Sequence, residues 1–266
     1  MAASERRAEW SFADSPATGY LLIVALAGLW EIVSRSIPGL DFLLPPFSAV
    51  MVALWKITLT NEIPLQTLET LARLLLGFGC AILAAMPLGF LIGQFRWLYN
   101  LLEPTLELLR PTPAIAIIPI AVLVLGFGVQ MKTFVIAWAA FWPILLNCID
   151  GVRSIDPVLL DTARTYGYGR RKVLRRIVVP AALPYAMAGL RVGLTLALIL
   201  AVFVEMITTG SGLGALMMAY RDAIRLPEMY AAIVAIAVLG FLLNAGFEWL
   251  EARVIRWYRM SREVYT

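Results

Sequence analysis

Residues 74–95 read LLLGFGCAILAAMPLGFLIGQF, and none of them carries a charge. A run of about 20 apolar residues, each rising 1.5 Å in a helix, covers the roughly 30 Å of a bilayer's hydrocarbon, so this stretch predicts a transmembrane helix. The rest of the chain agrees: 61% of its 266 residues are apolar and 15% are charged, with a mean hydropathy of +0.82. Soluble domains carry closer to about 25% charged residues. The length admits roughly five to seven spans and leaves no room for a separate catalytic domain.

Five more segments are apolar enough to span: residues 20–34, interrupted by Glu31; 106–129, with Pro111, Pro113 and Pro119; 132–149, with Pro143; 183–209; and 230–249. The expected fold is an all-α integral membrane protein of six transmembrane helices. Residues 1–18 read as a cytoplasmic N-terminal segment, 19–252 as the membrane domain and 253–266 as a cytoplasmic tail. Proline at this density would ruin a helix in water, whereas in a bundle neighbours or cavity water satisfy the freed carbonyls, so span 106–129 is expected to be short or broken. Ala25-Leu26-Ala27 resembles a signal cleavage site, but the five apolar residues before it are fewer than the about 7 to 15 that a signal needs. Arg6 and Arg7 read instead as cytoplasmic anchors. Histidine is absent, and Cys80 and Cys148 sit in separate apolar runs, so neither a metal site nor a disulfide is expected. Trp30, Trp55, Trp97, Trp138, Trp142, Trp249 and Trp257 read mostly as an interfacial belt.

Lysine and arginine are retained on the cytoplasmic side during insertion. Residues 151–180 hold Arg153, Arg164, Arg170, Arg171, Lys172, Arg175 and Arg176, and the tail holds Arg253, Arg256, Arg259 and Arg262. Both are therefore expected inside. Six spans then put both termini and the turn at Arg96 on that side, with residues 35–64 and the surroundings of Gln130 outside; Arg221 and Arg225 run against the trend. Within the loop, Asp156 is a good N-cap and Pro157 suits the first helical position. Leu159, Leu160, Ala163 and Tyr166 recur at helical spacing, and Gly167 can end the helix left-handed. A second helix is expected from near Gly169, with Val173, Leu174, Ile177 and Val178 on its apolar face, until Pro180 closes it. Helices this short need support from the membrane domain or a partner. Headgroup contact, at about 1 kcal/mol per basic residue, would not require a small residue and a glycine at fixed offsets.

Those offsets resemble the EAA loop of ABC importer permeases: E-A-A, three residues, G, about nine residues, then I-x-L-P. Asp161, Thr162 and Ala163 stand at E-A-A, Gly167 at the glycine, Ile177 at the isoleucine, and Val179 and Pro180 at L-P. Residues 70–78, 87–89, 109–113, 151–154, 212–214 and 251–257 are similar to the nitrate, sulfonate and taurine branch. The resemblance implies a type I permease in the bacterial inner membrane, working as a homodimer or heterodimer in membrane lipid, with two cytoplasmic ATPase subunits and an external solute-binding protein. It also implies that the first loop helix is a coupling helix, with Asp161, Thr162, Ala163, Tyr166, Gly167, Ile177 and Pro180 at the ATPase contact. The solute implied is a small anion such as nitrate, a sulfonate, taurine or a related organic acid.

An ionised Glu205 at mid-bilayer costs about 2.5 to 3.5 kcal/mol, so it must face water or a partner. It is expected either to line the pathway, with Thr208, Asn147 and Gln130 as further candidates, or to cap a break in its helix near Gly210. Glu31, Glu107 and Arg191 read as interfacial or snorkelling. An ion-driven carrier or channel without an ATPase is the alternative, although such proteins commit several ionisable groups or inverted repeats to the membrane, and neither is visible. Catalytic residues and bound cofactors are not expected, nor is nucleic-acid binding. No G-x-x-x-x-G-K-[ST] phosphate loop occurs, so any ATP is hydrolysed by a partner chain.

Overall fold

A computed structural model describes residues 16–110, 112–208 and 210–256. Arg6, Arg7, Pro111, Thr209, Trp257, Arg259 and Arg262 lie outside the described residues. Every regular element among the described residues is helical: α1 Pro16–Ser36, α2 Leu40–Leu43, α3 Phe47–Leu59, α4 Glu62–Gln94, α5 Arg96–Leu109, α6 Ile118–Leu125, α7 Val129–Arg153, α8 Pro157–Thr165, α9 Arg170–Val173, α10 Val179–Ile207, α11 Leu213–Asp222 and α12 Leu226–Val254. Among the described residues five stretches are long and apolar enough to cross a membrane: Leu40–Leu59, Glu62–Gln94, Val129–Arg153, Arg170–Ile207 and Leu226–Val254. A sixth arises if Arg96–Leu109 and Ala114–Leu125, bent by 89°, form one broken span. That pair flanks the proline-rich segment expected to break.

Three boundaries differ from the sequence reading. Residues 35–64 are not a plain connection: α2 and α3 occupy them, because Pro46 sits at the N-cap of α3 rather than breaking it. The helix expected to begin at residue 74 starts at Glu62, so the charges before residue 74 lie on the helix itself. Pro180 does not close the second loop helix. It stands in the first turn of α10, and a π turn, Leu174–Val178, joins α9 to α10. An α-helical proline clashes with the carbonyl four residues back, and a wider π turn relieves that clash while keeping the chain helical.

The chain divides into two compact units, the first from Met1–Pro64 and Leu216–Ala235, the second from Leu65–Ala215 and Ile236–Thr266. In the described part of the first, α1 packs on α3. Ser34 Oγ donates to the Leu44 carbonyl at 2.6 Å, and Trp30 Nε1 donates to the Pro45 carbonyl at 3.0 Å while packing on Phe47 and Tyr230. Glu31 is held by partners on both sides. It accepts Arg35 Nε at 2.6 Å and the Ser48 amide at 2.9 Å, capping the start of α3.

In the second unit α7 is the central helix. Lipid is as apolar as leucine, so helix association there rests on close packing and small residues. Gly77, Gly89 and Gly93 of α4 meet α7 so closely that a β-carbon would come 2.6 Å from Ile136 Cγ2, 2.6 Å from Cys148 Cβ and 2.7 Å from Val152 Cβ. Gly189 and Gly193 of α10 do the same, at 2.7 Å from Asn147 Cβ and 3.0 Å from Ile144 Cγ1. Around these crossings Leu74, Ala85, Ala140, Ile144, Cys148 and Ala197 are fully buried. Arg191, midway along α10, reaches Glu251 at 2.8 Å and Glu248 at 3.4 Å on α12. Trp138 and Trp142 also depart from an end-of-span belt, stacking edge to face within α7 at 5.3 Å.

Candidate functional site

The loop after α7 folds as its residues dictate. Asp156 Oδ1 accepts the Val158 amide at 2.8 Å, and Pro157 takes the first position of α8. At the other end Gly167 adopts φ +73°. Its N–H donates to the Arg164 carbonyl at 2.9 Å, and the Tyr168 N–H donates to the Ala163 carbonyl at 3.0 Å. This is the paired closure of a Schellman motif, and it needs a residue at ease in the left-handed region. One side of the loop is pinned: Leu160, Val173 and Leu174 pack on Val152, Ile155, Val178 and Ala182, and Arg153 stacks its guanidinium over Tyr99 at 3.6 Å.

The opposite side is open. Leu159, Thr162, Ala163, Tyr166, Tyr168 and Ile177 line a groove of about 390 Å³, with Leu159 48% and Tyr166 79% exposed. Four of the seven predicted coupling residues, Thr162, Ala163, Tyr166 and Ile177, therefore share one surface. Asp161 does not line it: its carboxylate takes Arg164 Nη1 at 2.9 Å, and both side chains are exposed. Gly167 shapes the groove's edge through the cap, and a β-carbon there would meet nothing within 4 Å. Pro180 lies at the start of α10, beyond the groove.

At the far end of α10, Glu205 is 1% exposed. Its carboxylate accepts the Thr70 hydroxyl at 2.8 Å, Arg73 Nη1 at 3.0 Å and the Gly214 amide at 3.2 Å. Thr70 Oγ1 also accepts the Leu213 amide at 2.9 Å, and Gln66 Oε1 accepts the Gly212 amide. Three N–H groups at the start of α11, which the helix itself cannot satisfy, thus find partners on α4 and α10. Arg73 continues the network, donating to the Ser211 carbonyl at 2.8 Å and to Glu69 Oε2 at 2.6 Å. Lys132 is buried beside Gly210, its Nζ 3.6 Å from where a β-carbon on that glycine would stand. The other pathway candidates do not converge here. Thr208 Oγ1 donates within its own helix to the Val204 carbonyl at 2.7 Å. Gln130 is exposed in the first turn of α7. Asn147 Nδ2 donates to the Pro143 carbonyl at 2.8 Å and packs against Gly189, which is 16 residues from Glu205, or about 24 Å along a helix.

Sequence reasoning missed Gln66, Glu69, Thr70, Arg73 and Ser211 as members of this cluster. Glu69 and Arg73 carry the one available signal, an acid and a base at i and i+4 just before the uncharged run that begins at residue 74.

Residues 81–258 match the family described as the binding-protein-dependent transport system inner membrane component. The chain belongs to that family. As a family member it is an ABC importer permease component, a multi-pass membrane protein and a transport subunit. The chain is 32% identical over 256 residues to the riboflavin transport system permease protein of Chloroflexus aurantiacus, covering 96% of this chain and 93% of that one. It is 32% identical over 189 residues to the taurine transport system permease protein of Escherichia coli, covering 71% and 69%. An inward-facing structure of the MetNI methionine ABC transporter matches the fold with a TM-score of 0.59 at 20% identity, over 71% of this chain and 92% of that one.

Proposed function

We propose that this permease takes a separate ATPase subunit on the α8 groove, pairs with a second copy of itself, and passes a small solute delivered by an external binding protein. The observation that carries the reading is the open groove of Leu159, Thr162, Ala163, Tyr166, Tyr168 and Ile177. A short helix closed at both ends and pinned on one side, yet apolar and uncovered on the other, is built to push on something. The arginine-rich loop belongs on the cytoplasmic side by the charge rule, where ATP is available. Both termini share that side if the crossings are even in number. The named relatives carry solutes as different as taurine and riboflavin, which supports a pathway of broad tolerance, with selectivity left to the binding protein. A small anion remains the first solute class to screen on that protein.

Gly167→Trp tests the docking surface, with Gly167→Asn as control because asparagine tolerates the left-handed region. The tryptophan variant is expected to insert normally, lose ATP-driven uptake and release the ATPase on purification, while the asparagine variant retains both. Normal uptake by Gly167→Trp would sink the assignment.

A further inference from the structure

The network around Glu205 divides along a line that leaves each of its charged side chains with one bonding partner. On α4 stand Gln66, Glu69, Thr70 and Arg73. On the corner joining α10 to α11 stand Glu205, Ser211 and the amides of Gly212, Leu213 and Gly214. Arg73 bridges the line, bonded at once to Glu205 at 3.0 Å and to Glu69 of its own helix at 2.6 Å. If the corner withdraws, Arg73 keeps Glu69, and Glu205 keeps the Gly214 amide at the positive end of α11. Removing one member of a buried ion pair is costly because a charge is stranded; here each charge keeps one bonding partner, and the bonds given up are those of Glu205 to Arg73 and Thr70 and of the Gly212 and Leu213 amides to α4.

The corner is also connected to the loop. Arg170–Ile207 runs as one helical stretch of 38 residues, so the groove side and Glu205 lie at opposite ends of a single rod of about 57 Å at 1.5 Å per residue. Its irregularities, the π turn at Leu174–Val178 and Pro184 inside α10, both lie in the half nearer the loop. Beyond the rod, Gly210 and Gly212 take φ +146° and +112°, a glycine-hinged path that can change direction at little steric cost.

We propose that the α4 clasp on the α10–α11 corner is a two-state latch: Arg73 is shared by Glu205 and Glu69 when it is shut, Arg73 rests on Glu69 alone when it is open, and displacement of α10 from the loop end works it. Interfaces of this kind switch between discrete arrangements, and a ligand or partner biases them by its differential hold on the two states. The proposal rests on the reading that α8 is driven by an ATPase.

The test is a single-cysteine reporter in the complete reconstituted transporter. Cys80 is replaced by alanine, Cys148 is left because it is fully buried, and Gln66→Cys is placed under the Gly212 amide. Its rate of reaction with a small water-soluble maleimide reads how often the corner lifts. Glu205→Gln and Thr70→Val weaken the shut state and are expected to raise the labelling rate. Glu69 also accepts the Ser211 hydroxyl at 3.3 Å in the shut arrangement. Glu69→Gln keeps an acceptor for that hydroxyl but removes the only countercharge Arg73 has when the latch is open, and is expected to lower the rate. Each change is about 5- to 100-fold, within the range of ordinary site-to-site coupling. All three slow uptake. A static cap gives rates that are unchanged or raised in every variant, so an unchanged or faster rate in Glu69→Gln overturns the latch. Thr70→Val keeps the shut-state arm readable if Glu205→Gln fails to fold. If the reconstituted transporter with Gln66 intact shows no ATP-driven uptake, the function reading fails separately, and the labelling rates of the reporter series, each compared with the Gln66→Cys parent, still report on the latch.

Discussion

Glu31 and Glu205 make the same use of an acid within an apolar helix: each accepts an amide at the start of a later helix, Ser48 of α3 and Gly214 of α11. The desolvation of the carboxylate is offset by an N–H that would otherwise be orphaned and by an arginine one step away. Gly167 is the matching case at a helix end. The Schellman closure fixes its φ at +73°, where a β-carbon costs about 1–2 kcal/mol. Since that cost falls on α8 alone, it belongs in local opening rather than in global stability. Gly167→Ala is therefore expected to speed amide exchange across Pro157–Thr165 by roughly 5- to 30-fold, with the thermal midpoint unmoved. Unchanged protection in α8 would mean that the cap does not hold the helix.

Among the elements, the α4–α7–α10 crossings are set by the absence of side chains at particular positions. Gly189 and Gly246 are both helical glycines, and the structure assigns them opposite responses to a methyl group. At Gly189 an added β-carbon would stand 2.7 Å from Asn147 Cβ and 2.8 Å from the Pro143 carbonyl; at Gly246 it would meet nothing within 4 Å. Overpacking costs about 1–3 kcal/mol, whereas alanine replaces glycine in an open helix with a gain of about 1 kcal/mol. Gly189→Ala should lower the thermal midpoint in detergent and Gly246→Ala should hold or raise it. Equal shifts would remove the close-crossing account of the core. The π turn belongs to the same scale: Pro180 looked like a terminator because its ring excludes an α-helical neighbour, and the chain instead widens by one residue and continues.

Across the whole molecule, what could be read from the sequence was what is local in it. The α8 groove lies within residues 156–177, so caps, spacing and the stop at Gly167 were all visible in one short window, and the apolar runs gave the all-helical membrane fold. The Glu205 cluster is hidden in the sequence because its partners on α4 lie 132 to 135 positions away, and because the uncharged run begins at residue 74, after Glu69 and Arg73, while the helix begins at Glu62. The pair of prolines at 45 and 46 concealed α3 in the same manner, by reading as loop. The packing of the described second unit can be followed through its two cysteines, which differ in burial: Cys80 is exposed and Cys148 is fully buried. Cys148 sits where α4 crosses α7, opposite Gly89, so a reagent reaches its thiol only when that crossing opens. Native protein in detergent, treated with an apolar, membrane-permeant thiol reagent, is expected to modify one thiol per chain quickly and the second only as the core unfolds. Gly89→Ala, whose methyl group would stand 2.6 Å from Cys148 Cβ, should hasten the second modification while leaving the first unchanged. If Cys148 reacts in native protein as fast as Cys80, the α4–α7 contact is not the closed core that the glycines require.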